Sequence, residues 1–520
     1  MTNGTLLWAD DEIELLRPCI IFLKNKGYEV LTATNGQDAL DLCREQPVDI
    51  IFLDENMPGL SGLETLQLIK EMNPSLPVVM ITKSEEENIM DMALGAKIAD
   101  YLIKPVHPSQ ILLTLKKHLH KRALETEATN SNYQQNFSRL GMQINECETI
   151  EDWQEVYRRL VFWELELADA DSPMTETLQM QKAEANAAFA RFVGHNYQSW
   201  IDAQPGQRPT MSPDVFRKSV FPALDRNEQV YLVVFDNLRY DQWCVISKQL
   251  ASDFHIDDEL YLSILPTATQ YSRNAIFAGL MPSQIAAMFP KLWVDEDEEE
   301  GKNLNESPLV QTHLDRCRRA DVSYSYNKLN HGADTERLVA QFAQLSQKQL
   351  NVIVVNFIDM LSHARTESTM VRELASDERA YRSITASWFQ NSPVRQLFTA
   401  LAQTNATVIV TTDHGSIRVD SPTKIIGDKN TNTNLRYKLG KNLSYNQRDV
   451  FAIKEPKRVY LPAPNLSTTY VFAKNDSFFA YPNNYNYYVN YYRNTFQHGG
   501  ISLEEMLIPL ATLKPKKPQQ

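Results

Sequence analysis

Aspartate and histidine side chains in the C-terminal part of the sequence have the types and spacing of metal ligands. Each group follows an apolar run: YLVVFD ends at Asp236, VIVVNFID at Asp359, and TVIVTTDH at His414. Apolar, β-branched runs of this length predict strands that are buried on both faces. Because α/β enzymes carry their chemistry at the carboxyl edge of the sheet, these side chains are expected to converge there. The predicted ligands are Asp236, Asp359, His363, Asp413, His414 and His498, the last in a QHGG loop.

The mixture of ligand types favours particular metals. Carboxylate and imidazole together suit Zn²⁺ or Mn²⁺ better than Mg²⁺ or Ca²⁺. These six ligands are too many for one tetrahedral zinc ion but suit two ions in a shared cleft. A helix that starts near Leu361 would let Asp359 and His363 face one ion, whereas the adjacent Asp413 and His414 need a turn. Two metals about 4 Å apart stabilise the attacking and leaving oxygens of a phosphoryl transfer.

A phosphoryl-transfer site also needs a nucleophile, and three hydroxyl residues compete for that role. Thr267, Thr269 and Ser272 lie where a strand-like YLSIL meets a helix-like YSRNAIFAGL. A hydroxyl at that junction would lie at a helix N-terminus, where backbone N–H groups favour phosphate. A metal ion beside it would lower the hydroxyl pKa, as it does for bound water. The residues alone leave the choice between the three open.

Residues 1–120 alternate strand-like and helix-like segments, which predicts a parallel, doubly wound sheet. Carboxylates follow the first and third strands. They would repel one another without a cation, and Mg²⁺, which prefers oxygen ligands, is the natural one. Lys104 could pair with an added phosphoryl group, Thr82 could hydrogen-bond to it, and Lys104–Pro105 is a candidate cis bond. The predicted strands are Thr5–Ala9, Tyr28–Ala33, Asp49–Leu53, Pro77–Ile81 and Asp100–Ile103.

Residues 121–210 lose the strand pattern and favour helices over Asp152–Leu167 and Met174–Ile201. Apolar residues from Trp153 to Val161 recur at helical spacing. A small helical bundle is favoured over a coiled-coil dimer seam, because sustained heptads are absent. The segment shows no basic recognition helix and no helix-turn-helix pattern, which disfavours duplex DNA binding.

Residues 211–520 are expected to form a second α/β domain with three notable polar stretches. Asp295–Glu300 (DEDEEE) is typical of a solvated loop. Thr423–Asn446, rich in Lys, Asn, Thr and Gly, is typical of a polar loop. Tyr481–Tyr492 (YPNNYNYYVNYY) could stack nucleic acid bases or pack as a rim loop.

The composition limits the function classes. A chain of 520 residues fits roughly three domains of about 150 residues. The net charge of −13 gives no indication of a general surface for binding polyanions. Five cysteines without CxxC spacing suit reduced thiols. The start lacks the regions of a signal peptide, and no apolar run reaches about 18 residues, so a soluble, cytoplasmic protein without membrane insertion is expected.

The N-terminal motifs ADD (Ala9–Asp11), LDENMPGLSG, ITKS and YLIKP resemble those of a two-component receiver domain. The resemblance implies that Asp54 accepts a phosphoryl group from a sensor histidine kinase. It also implies roles for the residues around Asp54. The Mg²⁺ ligands would be Asp11, Asp54 and the Asn56 carbonyl, with Asp10 assisting; the switch pair would be Thr82 and Tyr101, and the phosphate partner Lys104.

The C-terminal motifs VFDNLRYD, PTATQYSRN, DxxxH, TTDHGS and HGGISLEEMLIP resemble the alkaline phosphatase superfamily, in its PglZ-type branch. The resemblance implies an alkaline-phosphatase-like α/β domain in which Thr269, rather than Thr267, is the nucleophile. It also implies two zinc ions. One would be held by Asp359, His363 and His498, the other by Asp236, Asp413, His414 and the Thr269 oxygen.

A receiver (1–120), a helical segment (121–210) and a PglZ-type domain (211–520) together resemble response regulators tied to type IX secretion and gliding. This resemblance implies a homodimer and a phosphodiesterase for nucleotides and oligonucleotides, controlled by Asp54 phosphorylation. Two alternatives are a catalytically weak scaffold for a transcription partner and a phosphomonoesterase. No arginine immediately abuts the proposed nucleophile to bind a dianionic phosphate, which favours diesters; Arg273 is the exception to consider.

Overall fold

The protein divides into two compact units, the first ending at Tyr133 and also containing Ser172, the second formed by Gln134–Asp169 and the chain from Pro173 onward. The computed structural model describes residues 3–74, 76–83, 98–119, 121–169, 172–296, 298, 301–427, 431–480 and 484–516.

The first unit contains a parallel sheet in the order β2-β1-β3-β4-β5. This confirms the doubly wound fold expected for the N-terminal segment, and the strand bounds agree with the expected ones to within a residue. The Lys104–Pro105 bond is cis, as expected. The strands are β1 (Thr5–Ala9), β2 (Glu29–Ala33), β3 (Ile50–Asp54), β4 (Val78–Thr82) and β5 (Asp100–Ile103). The described helices are α1 (Arg17–Asn25), α2 (Gly36–Glu45), α3 (Gly62–Met72) and α4 (Pro108–Leu119), with a 3₁₀ turn at Ile13–Leu16.

Both faces of this sheet are buried, which explains its apolar strands. Leu7 and Leu53 belong to one apolar cluster, whereas Trp8 and Phe52 belong to another. Successive side chains of a strand point to opposite faces, so the two clusters lie on opposite sides of the sheet. The carboxylates that follow β1 and close β3 are thereby placed at one edge of the sheet.

Helices follow, in the range where the sequence predicts them: α5 (Lys121–Glu146), α6 (Ile150–Asp169) and α7 (Thr175–Asp202). The boundary between the two units falls within α5, and α6 and α7 belong to the second unit. Trp153 of α6 packs edge-on against Phe189 of α7, with ring centroids 5.4 Å apart. The apolar stripe of α6 is buried as its spacing predicts.

The second unit is built on a mixed sheet in the order β7-β18-β10-β6-β9-β8. Strands β10, β6, β9 and β8 run parallel, and β18 runs antiparallel to both of its neighbours, β10 and β7. This is the C-terminal α/β domain that the sequence predicts. The strands of the sheet are β6 (Val230–Phe235), β7 (Phe254–Leu262), β8 (Tyr324–Leu329), β9 (Leu350–Val355), β10 (Thr407–Thr412) and β18 (Leu507–Pro515).

Shorter elements surround this sheet. The remaining strands are β11 (Ile417–Arg418), β12 (Ser421–Lys424), β13 (Tyr437–Gly440), β14 (Val450–Ile453), β15 (Thr469–Ala473), β16 (Ser477–Ala480) and β17 (Phe496–Gln497). The helices are α8 (Phe221–Asp225), α9 (Tyr240–Leu250), α10 (Thr269–Ala278), α11 (Pro282–Met288), α12 (Glu306–Arg316), α13 (Gly332–Ala340), α14 (Phe342–Leu345), α15 (Phe357–Glu367), α16 (Thr369–Leu374), α17 (Glu378–Asn391), α18 (Pro393–Leu401), α19 (Tyr485–Tyr492) and α20 (Leu503–Met506). Short 3₁₀ segments lie at Ser212–Asp214 and Pro456–Val459, and a π-helical segment at Phe216–Val220.

Three local expectations need correction. Strand β9 ends at Val355 and α15 begins at Phe357, so Asp359 lies in a helix rather than at a strand end. The stretch expected to be a solvated acidic loop contains Glu296, which accepts hydrogen bonds from two buried tyrosine hydroxyls. The stretch expected to be a polar loop contains β13, where Tyr437 and Lys438 are buried. In each case tertiary contacts decide the structure. No helix in the described part of the chain is long and apolar enough to cross a membrane.

Candidate metal centre and phosphoacceptor site

Two neighbouring strands of the second sheet end in the ligands of a buried cluster, which we call the inner cluster: Asp236, Asp413 and His414. Asp236 follows β6, and Asp413 and His414 follow β10. All three residues are buried, and one ligand atom from each lies within 4.8 Å of the others. His414 Nε2 is 3.9 Å from Asp236 Oδ1 and 3.7 Å from Asp413 Oδ2. Because β6 and β10 are parallel neighbours, their carboxyl ends bring these ligands together.

Thr269 adjoins the inner cluster and is the first residue of α10. Its hydroxyl lies 3.1 Å from His414 Nε2 and 3.3 Å from Asp236 Oδ1. The two other hydroxyl candidates are bonded elsewhere. Thr267 is fully buried and donates to the Gly500 carbonyl. Ser272 is also fully buried and donates to backbone carbonyls of the preceding loop.

A second group of ligands, the outer cluster, contains Asp359, His363 and His498. Asp359 and His363 lie one turn apart on α15, with 3.5 Å between His363 Nε2 and Asp359 Oδ2. His498 Nε2 is 3.9 Å from Asp359 Oδ1. The His363 side chain is 66 % exposed, unlike any ligand of the inner cluster.

The two clusters are in contact. The rings of His414 and His498 stack with centroids 4.2 Å apart. Asn237, which has a left-handed backbone (φ 64°), connects them further: its N–H lies 3.3 Å from Asp413 Oδ1 and its Nδ2 lies 3.3 Å from Asp359 Oδ1. Asparagine adopts this conformation more readily than most residues. The arrangement is therefore one continuous site with a buried part and an accessible part.

Arg273 lies behind the inner cluster and is 1 % exposed. Its Nη1 is 2.6 Å from Asp236 Oδ2 and 3.7 Å from Asp413 Oδ2. Its Nε is 2.6 Å from Glu306 Oε1, so the guanidinium is held from two sides. Glu306 is itself bound by the Tyr326 hydroxyl and by Lys328 Nζ. Arg273 thus orients a ligand and does not reach into the cleft as a phosphate clamp.

The buried charges shift one another's titration. Burial raises the pKa of Asp413 to about 6, and the Asp236 carboxylate acts in the same direction. Burial alone would raise the pKa of Asp236. The charges of Arg273 and His414 outweigh burial, so the pKa of Asp236 is lowered. Burial, and then the charge of His414, hold the pKa of His498 well below its usual value. Carboxylates and neutral imidazole in one place favour a bound cation.

The first unit gathers Asp10, Asp11 and Asp54 at the carboxyl edge of its sheet, again within 4.8 Å of one another. Lys104 Nζ lies 2.8 Å from Asp10 Oδ2 and 3.0 Å from Asp54 Oδ2. Burial raises the pKa of Asp54, and the bond from Lys104 partly offsets this. The other three residues expected at this site lie as follows: Asn56 is exposed, Tyr101 is 41 % exposed, and the Thr82 hydroxyl donates to Glu55 Oε2 at 2.8 Å.

Both sites fit the ions that their ligand types suggest. Within the described residues, the buried atoms Asp413 Oδ2 and Asp54 Oδ1 accept no hydrogen bond. A buried carboxylate oxygen costs free energy unless a hydrogen bond or a cation satisfies it. Oxygen-only ligands in the first unit suit Mg²⁺. Mixed carboxylate and imidazole ligands in the second unit suit Zn²⁺.

The sequence did not identify the residues that support the ligands. Asn237, Arg273 and Glu306 were not predicted to connect or orient them. Asn237 could have been found, because it lies directly after Asp236 in the strand-end motif. Glu306 lies 33 residues from Arg273 and has no motif of its own, so only the fold brings the pair together.

Comparison with protein families divides the chain into three matches. Residues 6–116 match the response regulator receiver domain, residues 123–201 the PorX response regulator linker domain, and residues 215–513 the BREX system PglZ alkaline phosphatase-like domain. The last match covers more than half of the chain. The order of the three matches is that of PorX-type response regulators, which confirms the expected architecture.

Individual relatives match the receiver part. The chain is 36 % identical to the transcriptional regulatory protein ZraR of Klebsiella oxytoca over 127 residues, 24 % of this chain and 29 % of the relative. It is 34 % identical to ResD of Bacillus subtilis over 132 residues, 25 % of this chain and 54 % of the relative. The chain therefore spans less than two thirds of these curated relatives.

Among solved structures, the chemotaxis protein CheY4 of Vibrio cholerae is similar, with 27 % identity and a TM-score of 0.22 over 22 % of this chain and 98 % of that one.

A receiver domain implies a phosphodonor such as a histidine kinase. Receiver and alkaline phosphatase-like domains generally use divalent metals, and the second of these domains suggests a hydrolase.

Proposed function

Since the chain belongs to the PglZ alkaline phosphatase-like family and carries a receiver domain, we propose that it is a response regulator with a zinc-dependent phosphodiesterase as its output. Its substrates are nucleotides, including oligonucleotides. The observation that carries the proposal is the position of Thr269. Thr269 is a half-buried residue at the start of a helix, and its hydroxyl lies within 3.3 Å of two ligands of the inner cluster.

In this proposal Thr269 is the nucleophile, and the inner and outer clusters each hold one zinc ion. Zinc bound there would lower the pKa of a nearby hydroxyl and stabilise negative charge on phosphoryl oxygens. The chain's own residues supply the rest. The Thr269 hydroxyl lies 3.1 Å from His414 Nε2 and 3.3 Å from Asp236 Oδ1, so it would lie beside an ion that these ligands hold. The first turn of α10 offers backbone N–H groups, which attract a phosphate group.

The surroundings of Arg273 support diesters over monoesters. A monoester carries a second negative charge, which a free guanidinium in the cleft would bind. Arg273 follows the proposed nucleophile by four residues, but its charge is engaged by Asp236 and Glu306. A phosphodiester, with a single negative charge, needs no such partner.

For the receiver we propose that Asp54 is phosphorylated by a sensor histidine kinase, with Mg²⁺ held by Asp11, Asp54 and the Asn56 carbonyl and with Asp10 assisting. Lys104, which reaches both Asp10 and Asp54, then pairs with the phosphoryl group. The switch pair is Thr82 and Tyr101. Phosphorylation promotes a homodimer, and the match to the PorX linker supports a role in type IX secretion and gliding.

The experiment is an assay of the full chain with a chromogenic phosphodiester and the matching monoester, with zinc and after chelation. The proposal expects faster diester hydrolysis that chelation abolishes and zinc restores. Faster monoester hydrolysis would reassign the domain as a phosphomonoesterase. No hydrolysis of either ester by the zinc-loaded chain would favour a scaffold for a transcription partner.

A further inference from the structure

Helix α7 buries polar side chains where an ordinary bundle helix would bury apolar ones. Lys182, Asn186 and Tyr197 are 7 %, 4 % and 1 % exposed. Burying such groups is costly unless each finds a partner. Their partners lie in segments that carry the residues of the proposed catalytic site.

Tyr197 bonds to the segment before the proposed nucleophile. The backbone N–H of Leu265 donates to the Tyr197 hydroxyl at 2.8 Å. Leu265 and Thr269 are four residues apart, and the loop between them connects β7 to α10. The hydroxyl of Tyr197 therefore fixes the backbone that leads to the nucleophile.

Asn186 bonds to the turn that follows His498. Its Oδ1 accepts from the Leu503 N–H at 2.7 Å, and its Nδ2 donates to Glu504 Oε2 at 3.0 Å. The Glu504 carbonyl packs so closely on Gly415 that a side chain there would overlap it. Gly415 follows His414, so Asn186 supports a turn that contacts the loop of an inner-cluster ligand.

Lys182 joins this helix to the loop that follows Asp236. Its Nζ lies 2.6 Å from Glu164 of α6, and 3.3 Å from both Glu378 and Glu504. Glu378 in turn lies 3.4 Å from Arg239 Nη1. These groups form a connected, largely buried set of charges.

Arg239 completes the connection to the site. It lies three residues after Asp236 and holds Asp241 through two bonds, Nε to Oδ1 at 2.8 Å and Nη2 to Oδ2 at 2.5 Å. Arg382 of α17 bridges Asp241 at 3.0 Å and Glu164. In a low-dielectric interior such a network permits few alternative geometries, because moving one member leaves another unpaired.

We infer that α7 acts as part of the catalytic domain, with Lys182, Asn186 and Tyr197 as positioning residues for the metal ligands and the nucleophile. The region matches a family described as a linker, but its side chains hold the three loops of the site at once. This inference rests on the proposed function. A displacement of α7 would move all three loops together.

The test compares full-length variants in three measurements: zinc retained against a competing chelator, kcat and KM for the chromogenic diester, and thermal unfolding. Lys182→Met is the main variant and Lys182→Arg its conservative partner. Two controls lie on the same helix. Glu184→Gln changes an exposed charge, and Phe189→Leu weakens the packing of a buried ring that lies edge-on against Trp153 of α6.

We expect Lys182→Met to lower kcat at least about tenfold, which corresponds to about 1.4 kcal/mol, with a smaller change in KM. It should lose zinc at a lower chelator concentration than the wild type. Lys182→Arg should recover part of both. Phe189→Leu should lower the unfolding temperature while kcat and zinc retention stay at wild-type values, and Glu184→Gln should change none of the three.

Wild-type kcat and zinc retention in folded Lys182→Met, or losses in Phe189→Leu as large as those in Lys182→Met, would overturn the inference. If Lys182→Met does not fold, Tyr197→Phe is used to test the inference instead, since it removes only the hydroxyl that binds Leu265. A kcat reduced at least about threefold supports the inference, and an unchanged kcat overturns it. A wild-type chain that neither binds zinc nor cleaves the diester would instead refute the proposed function.

Discussion

Two groups of ligands balance closely spaced carboxylates with a basic side chain: the inner cluster and the receiver cluster, which consists of Asp10, Asp11 and Asp54. Each gathers three ligands within 4.8 Å at the carboxyl edge of a sheet, and each has a basic side chain among them. In the receiver this is Lys104, whose side chain is 13 % exposed and whose Nζ lies within 3.0 Å of both Asp10 and Asp54. In the inner cluster it is Arg273, 1 % exposed and anchored on its other side by Glu306.

The difference between Lys104 and Arg273 indicates that the receiver site can change its geometry, whereas the inner cluster keeps a fixed geometry. A lysine is a compact charge on a flexible stem, so Lys104 can follow a phosphoryl group added to Asp54. A guanidinium bound from two sides keeps its place. Arg273 therefore holds the orientation of Asp236, and in the proposed mechanism the charge of the substrate would be balanced by bound metal ions.

The largest expected effect comes from removing the positive charge of Arg273. Arg273→Met would remove the guanidinium from the buried Asp236 and leave Glu306 with Lys328 alone as a counter-charge, which should cost the second unit about 3–5 kcal/mol. Lys104→Met should cost the receiver less when Mg²⁺ is present, because the ion can satisfy the same carboxylates. Denaturant unfolding of the two full-length variants in Mg²⁺ checks this. Equal losses would remove the distinction between the two cations.

The next effect concerns the nucleophile beside the fixed centre. Thr269→Ala should lower diester turnover at least about 10²-fold with folding intact, because it removes the hydroxyl next to the inner cluster. Thr267→Ala is the matched control. It should affect turnover much less, since Thr267 binds the backbone of Gly499 and Gly500 instead. A reversed ranking of the two variants would move the nucleophile to Thr267.

A third effect tests the switch. Beryllofluoride with Mg²⁺, which mimics the phosphoryl group on Asp54, should strengthen dimerisation about 5–150-fold, the range of a coupling of about 1–3 kcal/mol. Sedimentation of the full chain measures it, and Asp54→Ala should not respond. If the mass stays unchanged while hydrolysis accelerates at fixed monomer concentration, phosphorylation acts within one chain.

The metal-ligand clusters and the residues that support them also show what the sequence could and could not predict. The strands and the ligands that follow them were predictable, because a buried strand has a local apolar pattern and its last residues lie at the sheet edge. Asp359 was placed on a strand because the apolar run continues into α15, and only the break at Asn356 separates the two. The hydrogen bond from Asn186 to Glu504 joins residues that are 318 positions apart, so no local sequence pattern predicts it. The partners of Lys182 likewise lie on other elements, so its burial has no local signal in the sequence.

The smallest effect concerns substrate length. Tyr487 and Tyr488 of α19 are 64 % and 38 % exposed, whereas residues 481–483 of the tyrosine-rich stretch lie outside the described residues. Base stacking is worth about 1–3 kcal/mol, so Tyr487→Ala should raise KM for an oligonucleotide about fivefold or more. KM for the small chromogenic diester should not change. An equal rise for both substrates would assign α19 a packing role.

The measurement that tests the central claim most directly is zinc content during stepwise chelation of the full chain, with diester turnover followed in parallel. The account predicts about two Zn²⁺ per chain. One should leave first, from the outer cluster, because His363 is 66 % exposed while the inner ligands are buried. In support, His363→Ala should hold one zinc ion and release it at the higher chelator concentration. Fewer than two ions in the wild type, or hydrolysis that persists without zinc, would contradict the account.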